Sequence, residues 1–228
     1  NLKTFSFEFQ TIVQNFDVSL GSHQTYEPGN LKWLQYTGTL KTADFLEETG
    51  LKELLTASQD GKLLNISWDP DPDGREHRFR IDSVQRKEKA GKVLIAWNGK
   101  SIGVQRKGDM EVVLPALGEF TLMDVSVVQQ PEQYILLRFS DPLQEKQYLN
   151  GLITLDNGAD LSFIVENNDI RAYPSVRQIG NLKVMVSSGI RNILGYKLSA
   201  LNEYQLIFDE VKPAVRLLGK GGILPSSN

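Results

Sequence analysis

Apolar residues in this chain recur at every second position, in run after run, with turn residues between the runs. Period-two alternation puts one face of an extended segment on a core and the other in water, a pattern that suits a strand and not a helix. Phe5, Phe7 and Phe9, interleaved with Ser6 and Glu8, are the clearest case. The same reading gives strands over 33–40, 63–68, 77–84, 93–97, 110–114 and 120–128. It continues over 134–139, 152–155, 161–165, 170–173, 182–186 and 204–208. Turn chemistry separates them at Glu27-Pro-Gly-Asn30, Asp69-Pro-Asp-Pro-Asp-Gly74, Asn98-Gly-Lys100, Asp156-Asn-Gly158 and Asn192-Ile-Leu-Gly195. Many short strands at regular spacing predict an all-β chain built of sandwiches. One stretch departs from the pattern. Residues 44–57 place Leu46, Leu51, Leu54 and Leu55 on a helical face behind Asp44 as N-cap, with Gly50 interrupting, so one short helix is expected there. Residues 144–148 are a second candidate, although at most one short helix, the one over 44–57, is expected.

The 228 residues suffice for one large or two ordinary domains. The strand runs divide most naturally near 119–121. This predicts an N-terminal β-sandwich over residues 1–119 and an immunoglobulin-like sandwich over 120–213. Residues 214–228 would be a linker or strand into a further domain. No Gly- or Ser-rich linker separates the two, so the sandwiches are expected to abut. The tail, ending Gly219-Lys-Gly-Gly-Ile-Leu-Pro225-Ser-Ser-Asn228, puts Ile223 and Leu224 after the last strand with nothing following to cover them. Together with a first residue, Asn1, that is not an initiator Met, it reads as a segment cut from a longer protein.

Composition narrows the function classes. A net charge of -3, with Lys and Arg spread along the chain, leaves no basic footprint for nucleic acid or an anionic membrane. No apolar run approaches the roughly 20 residues that cross a bilayer as a helix. The absence of cysteine removes disulfides, thiolate metal sites, cysteine nucleophiles and any thioester within this segment.

The candidate sites weigh lightly. Asp69, Asp71 and Asp73 alternate before Gly74 like the first half of a calcium loop, but the position that needs a bidentate Glu is Arg80. The segment therefore reads as a hairpin turn. His23 and His77 have no ligand-spaced companion, and Gly219-Lys-Gly-Gly222 lacks the glycine spacing and Lys-Ser/Thr pair of a phosphate loop. No Gly-x-Ser-x-Gly elbow occurs and no pair of carboxylates stands out. Trp33, Trp68 and Trp97 would form a sugar platform if exposed on one face, but strand position favours burial for all three. The residues thus give no catalytic, cofactor-binding or metal site.

Several segments carry a resemblance. Tyr134-Ile-Leu-Leu-Arg-Phe-Ser-Asp-Pro-Leu143 resembles the Phe-Ser-x-Pro opening of bacterial Ig-like domains. With it go Asn150-Gly-Leu-Ile-Thr-Leu155, Val184-Met-Val-Ser-Ser-Gly-Ile-Arg-Asn192 and the run from Phe208 to Pro225. Together these are similar to the N-terminal region of bacterial α2-macroglobulin-like proteins of the Bacteroidetes type. Leu64-Asn-Ile-Ser-Trp68, His77-Arg-Phe-Arg-Ile-Asp82 and Val112-Val-Leu-Pro-Ala116 are similar to the domain that precedes it there. The resemblance implies macroglobulin-like sandwiches in a large envelope lipoprotein, periplasmic or anchored in the outer membrane, that traps proteases after they cut a bait. A Cys-Gly-Glu-Gln thioester captures them in many members. This chain has no such motif and no Cys, so no capture residue transfers to it. The expected role is a non-catalytic structural and interaction segment of such a protease inhibitor. Its partners would be the remaining domains of the parent chain and, through them, proteases. The alternatives are a carbohydrate-binding or adhesive Ig-like module of a surface protein, favoured by a row of exposed tryptophans, and an accessory region of a hydrolase, favoured by a cleft with paired, perturbed carboxylates.

Overall fold

A computed structural model describes residues 12–210. The expected strand at Phe5, Phe7 and Phe9 and the whole 214–228 segment, with its Gly219–Gly222 run, lie outside the described residues. The rest is all-β: four antiparallel sheets, one α-helix and one 3-10 turn. The strands are β1 (Phe16–Thr25), β2 (Trp33–Thr42), β3 (Leu55–Gln59), β4 (Lys62–Leu63), β5 (Ile66–Pro70), β6 (Glu76–Gln85), β7 (Gly91–Asn98) and β8 (Lys107–Leu114). They continue with β9 (Leu122–Val128), β10 (Tyr134–Phe139), β11 (Ile153–Leu155), β12 (Leu161–Glu166), β13 (Asp169–Pro174), β14 (Gly180–Val186) and β15 (Asn202–Phe208). Helix α1 is Glu48–Leu54 and the 3-10 turn is Gly99–Ile102.

The strands assemble into two sandwiches with the same wiring. In the second, β12-β13-β10-β9 faces β11-β14-β15, so the first, second, fifth and fourth strands share one sheet and the third, sixth and seventh the other. That is the seven-strand connectivity of a constant-type immunoglobulin domain. In the first, β1-β2-β6-β5 faces β4-β3-β7-β8, the same order with one short edge strand, β4, added beside the third. Each sandwich has its own core. Leu34, Leu40, Ile81 and Ile95 are central to one, and Ile135, Leu137, Phe139, Val184 and Val186 to the other. One cluster draws only on residues 16–114 and the other only on 120–208, so neither depends on the other for its apolar burial.

Local chemistry explains where the elements differ from expectation. The expected strand at 63–68 is two strands in different sheets. Leu64 N–H bonds Ala57 O in one sheet (2.9 Å), while Asn65 O accepts from Asp82 N–H in the other (3.0 Å). Strands β1 and β3 were not expected. In β1 a bulge sets Gly21 and Ser22 opposite Thr37, which shifts the inward parity from Phe16, Val18 and Leu20 to His23 and Thr25. The helix is shorter than 44–57 because Leu55 is already extended and pairs with Trp97, carrying Ala57 inward as a strand residue. Asp44 does not cap it: its Oδ1 accepts from Phe45 N–H (2.8 Å), and the N-cap position is Glu47 without a side-chain bond. Leu51 and Leu54 instead bury α1 over the open end of the sandwich, beside Ile102 of the 3-10 turn. No helix forms at 144–148. Gln147 there bridges Gln144 O (2.8 Å) and the backbone of Arg191, tying one end loop to another.

Candidate functional site: a polar junction between the sandwiches

The two cores meet through polar groups. Arg86 follows β6 at the end of the first sandwich, and its side chain is wholly buried, as is that of Asp141 after β10. An unpaired buried charge is so costly that a guanidinium persists there only with its donors satisfied. All five of its N–H groups have an acceptor. Nη1 bonds Asp141 Oδ1 and lies 3.5 Å from Ser140 O. Nη2 reaches Ala116 O (2.8 Å) and Glu119 O (3.0 Å), and Nε reaches Pro115 O (3.2 Å). The other oxygen of Asp141 accepts from Asn192 Nδ2 (2.8 Å). Arg86 thus joins the first sandwich to the connecting segment and one end loop of the second, and Asp141 carries the contact on to a second end loop at Asn192.

His23 and Asn168 extend the junction. His23 Nε2–H donates to Ser140 O (2.9 Å) while its ring lies 5.1 Å from that of Tyr36. Asn168, in the β12–β13 turn, is 3.1 Å from the same imidazole nitrogen and donates to Phe139 O (3.3 Å). Burial pulls the His23 imidazole below its ordinary pKa; the Ser140 carbonyl opposes this and the Arg86 guanidinium adds to it. The ring is neutral at neutral pH. Burial also pushes the Tyr36 hydroxyl far up. The connecting segment is held as tightly: Thr121 N–H donates to Ser140 Oγ (3.0 Å), Ser140 N–H to Thr121 O (2.9 Å) and Leu117 N–H to Lys87 O (2.7 Å).

Beside the junction lies a polar cleft of about 180 Å³ that includes Ser22, His23, Asn167, Asn168 and Asp169. Burial raises the Asp169 carboxyl pKa, Arg138 and Arg171 lower it, and its Oδ1 has no hydrogen-bond partner. Its neighbour Glu166 is paired to Arg171 (2.7 Å). His23 Nε2 is committed to the Ser140 carbonyl. The chemistry this arrangement supports is cohesion between two bodies.

The residues weighed from sequence are dispersed. Asp69 to Gly74 form the β5–β6 hairpin turn, closed by Gly74 N–H to Asp71 O (2.8 Å), and Arg80 stands in β6 paired to Asp82 (2.9 Å). Among the described residues, no three His, Asp or Glu gather as metal ligands. His77 is buried near the start of β6, at the opposite end of that strand from Arg86. Trp68 packs on Phe79 (5.5 Å) and Trp97 lies over Gly108 at the sandwich edge. Trp33, expected to be buried, faces water: it opens β2 on the outward parity, one place before inward Leu34. Sequence reasoning did not single out Arg86 or Asn168, and Asn192 entered only as a turn residue and the end of a segment of the resemblance. The Phe139-Ser-Asp-Pro142 segment was noticed for its resemblance, and it is this segment that supplies Ser140 and Asp141 to the junction.

No family model matches the chain, and no curated protein does. Among solved structures, one titled "Anomalous substructure of Titin-A168169" aligns with 87% of this chain and 99% of its own at 13% identity and a TM-score of 0.27. A likeness that low carries no argument, and the immunoglobulin-like assignment rests on the strand wiring.

Proposed function

We propose that this chain is a non-catalytic structural and interaction segment in which two immunoglobulin-like sandwiches are locked end to end as one spacer. The observation that carries the reading is the Arg86 clamp, a buried guanidinium whose five donors are all spent on the connecting segment and the facing loops. A flexible tether between independent modules gains nothing from so costly a burial, whereas donors aimed at both sides of the junction favour one interdomain angle. The resemblance of the motifs supplies the setting we propose: a cell-envelope, α2-macroglobulin-like protease trap. The bait and capture chemistry would belong to other domains of the parent chain, and proteases would be met through them.

Incubation of the chain with a panel of proteases and a protein substrate tests the absence of activity. The expected outcome is full proteolytic activity on the substrate and no hydrolysis by the chain itself. Stoichiometric inhibition would overturn the reading. Small-angle scattering tests the locked geometry. One fixed particle shape is expected for the parent, and a broader distribution of maximum dimensions for Arg86→Met. Equal distributions would remove the clamp as the basis of the proposal.

A further inference from the structure

The outer face of the first sandwich carries two exposed aromatic side chains side by side, Tyr26 and Trp33. Tyr26 leaves the end of β1 and is 48% exposed. An exposed tyrosine is normally free to move, but this one is tied down. Its hydroxyl donates to Asp82 Oδ1 (3.0 Å) and accepts from Ser83 N–H (2.9 Å), so the ring is fixed across the sheet. Ser83 can point its N–H outward because β6 bulges there: Asp82 and Ser83 together oppose Gln35, and Ser83 has φ +60. A left-handed serine in a strand is a strained conformation, and such strain concentrates where a backbone group must be aimed. Trp33, 38% exposed on the same face, borders Ser83 from β2.

Tyr26, Trp33, Ser83, Glu27 and Asn30 line a pocket of about 320 Å³. Three of its polar groups are unspent. Glu27 makes no ion pair, and neither the Ser83 hydroxyl nor the Asn30 amide nitrogen makes a hydrogen bond, among the described residues. The Asn30 amide is nevertheless oriented, because its Oδ1 accepts from Lys32 N–H (3.2 Å). A fixed tyrosine ring and an exposed indole beside a carboxylate, an amide donor and a hydroxyl match a pyranose ring. The C–H face of such a ring stacks on an aromatic side chain, and its hydroxyls take up donors and acceptors at the rim. No cation lines the pocket, and Glu27 disfavours acidic sugars.

We propose that the shelf formed by Tyr26, Glu27, Asn30, Trp33 and Ser83 binds one neutral pyranose unit of a glycan. This site is independent of the spacer reading, since it lies on the outer face of one sandwich and uses none of the Arg86 contacts. The test is a titration of the whole chain with cellotriose, chitotriose and mannotriose, followed by the indole N–H signals of the three tryptophans. The expected result is a saturating shift of the Trp33 signal alone, with a dissociation constant near 1 mM or tighter, about 4 kcal/mol of affinity. Trp33→Ala should weaken binding at least about tenfold, as loss of one stacking platform does, and Tyr26→Phe, which keeps the ring but frees it, by a few-fold. Unchanged melting temperatures confirm that both variants fold. Three results overturn the proposal: no shift with any trisaccharide up to about 10 mM, binding that survives Trp33→Ala, or saturation by tetramethylammonium in place of the sugars, which would make the shelf a cation site.

Discussion

Replacing Arg86 by Met removes the charge at the junction and keeps most of the volume. What remains behind decides the cost. Asp141 keeps its bond from Asn192 but loses its counter-charge in a site with no exposed side-chain surface. The Pro115 carbonyl loses its donor at the same time, while Ala116 O keeps Glu119 N–H (3.0 Å) and Glu119 O keeps Ser140 Oγ (3.4 Å). Breaking a buried ion pair from one side costs about 3–5 kcal/mol, and the one stranded acceptor, Pro115 O, adds up to about 1–3 kcal/mol unless water enters. We expect a loss of at least about 3 kcal/mol. Asp141→Asn should cost less, because Arg86 retains four carbonyl acceptors. All three tryptophans lie in the first sandwich, so their fluorescence reports that sandwich while far-ultraviolet circular dichroism reports both. In urea the two probes should give one coincident transition for the parent and two separated transitions for Arg86→Met. A loss below about 1 kcal/mol with coincident transitions would show that the sandwiches do not depend on the clamp.

The chain's two histidines give it an acid-sensitive fold. Burial lowers both pKa values, so the unfolded state binds more protons below its own pKa of about 6.5. Stability should be complete above that pH and fall below it, by up to about 1.4 kcal/mol per pH unit for each histidine. Urea titrations between pH 8 and 5 measure the slope, and His77→Phe should flatten it. Gly38→Ala should cost about 1–3 kcal/mol, since the new Cβ overlaps the Phe79 ring, and Phe79→Leu in the same chain should recover part of that loss in a thermal melt. Lys183→Ala, which breaks only the exposed pair with Glu203, should change stability by less than about 1 kcal/mol.

The all-β architecture was legible because alternation reports burial on one face. Strand β10 was read at its own bounds, since a turn and a clean apolar run delimit it. Legibility failed where the backbone breaks the period. The Gly21–Ser22 bulge hid β1, the change of sheet at Leu64 joined two strands into one, and inward Leu51 and Leu54 just before inward Leu55 made a strand resemble the end of a helix. The junction was illegible for a different reason. Arg86 stands in Gln85-Arg-Lys-Glu-Lys89, which reads as a solvated loop, and its carboxylate partner lies 55 residues further on. Only tertiary contact tells Arg86 from Lys87, whose ammonium sits on the surface with Asp60 (2.6 Å). Trp33 and Trp68 likewise differ only in strand parity, which the sequence does not anchor at a strand's first residue.

The order in which the clamp's partners occur along the chain also sets a timetable for synthesis. When β8 has emerged from the ribosome, every strand of the first sandwich is present, and the carbonyls of Pro115, Ala116 and Glu119 follow at once. The carboxylate of Asp141 comes roughly thirty residues later, a delay of a few seconds at typical elongation rates of about 5–20 residues per second. During that interval the first sandwich can close around its own core, but its lower rim presents an uncompensated guanidinium that only water neutralises. A nascent chain halted there should remain open to proteolysis around Arg86 and Lys87, and become resistant once the second sandwich supplies its acid.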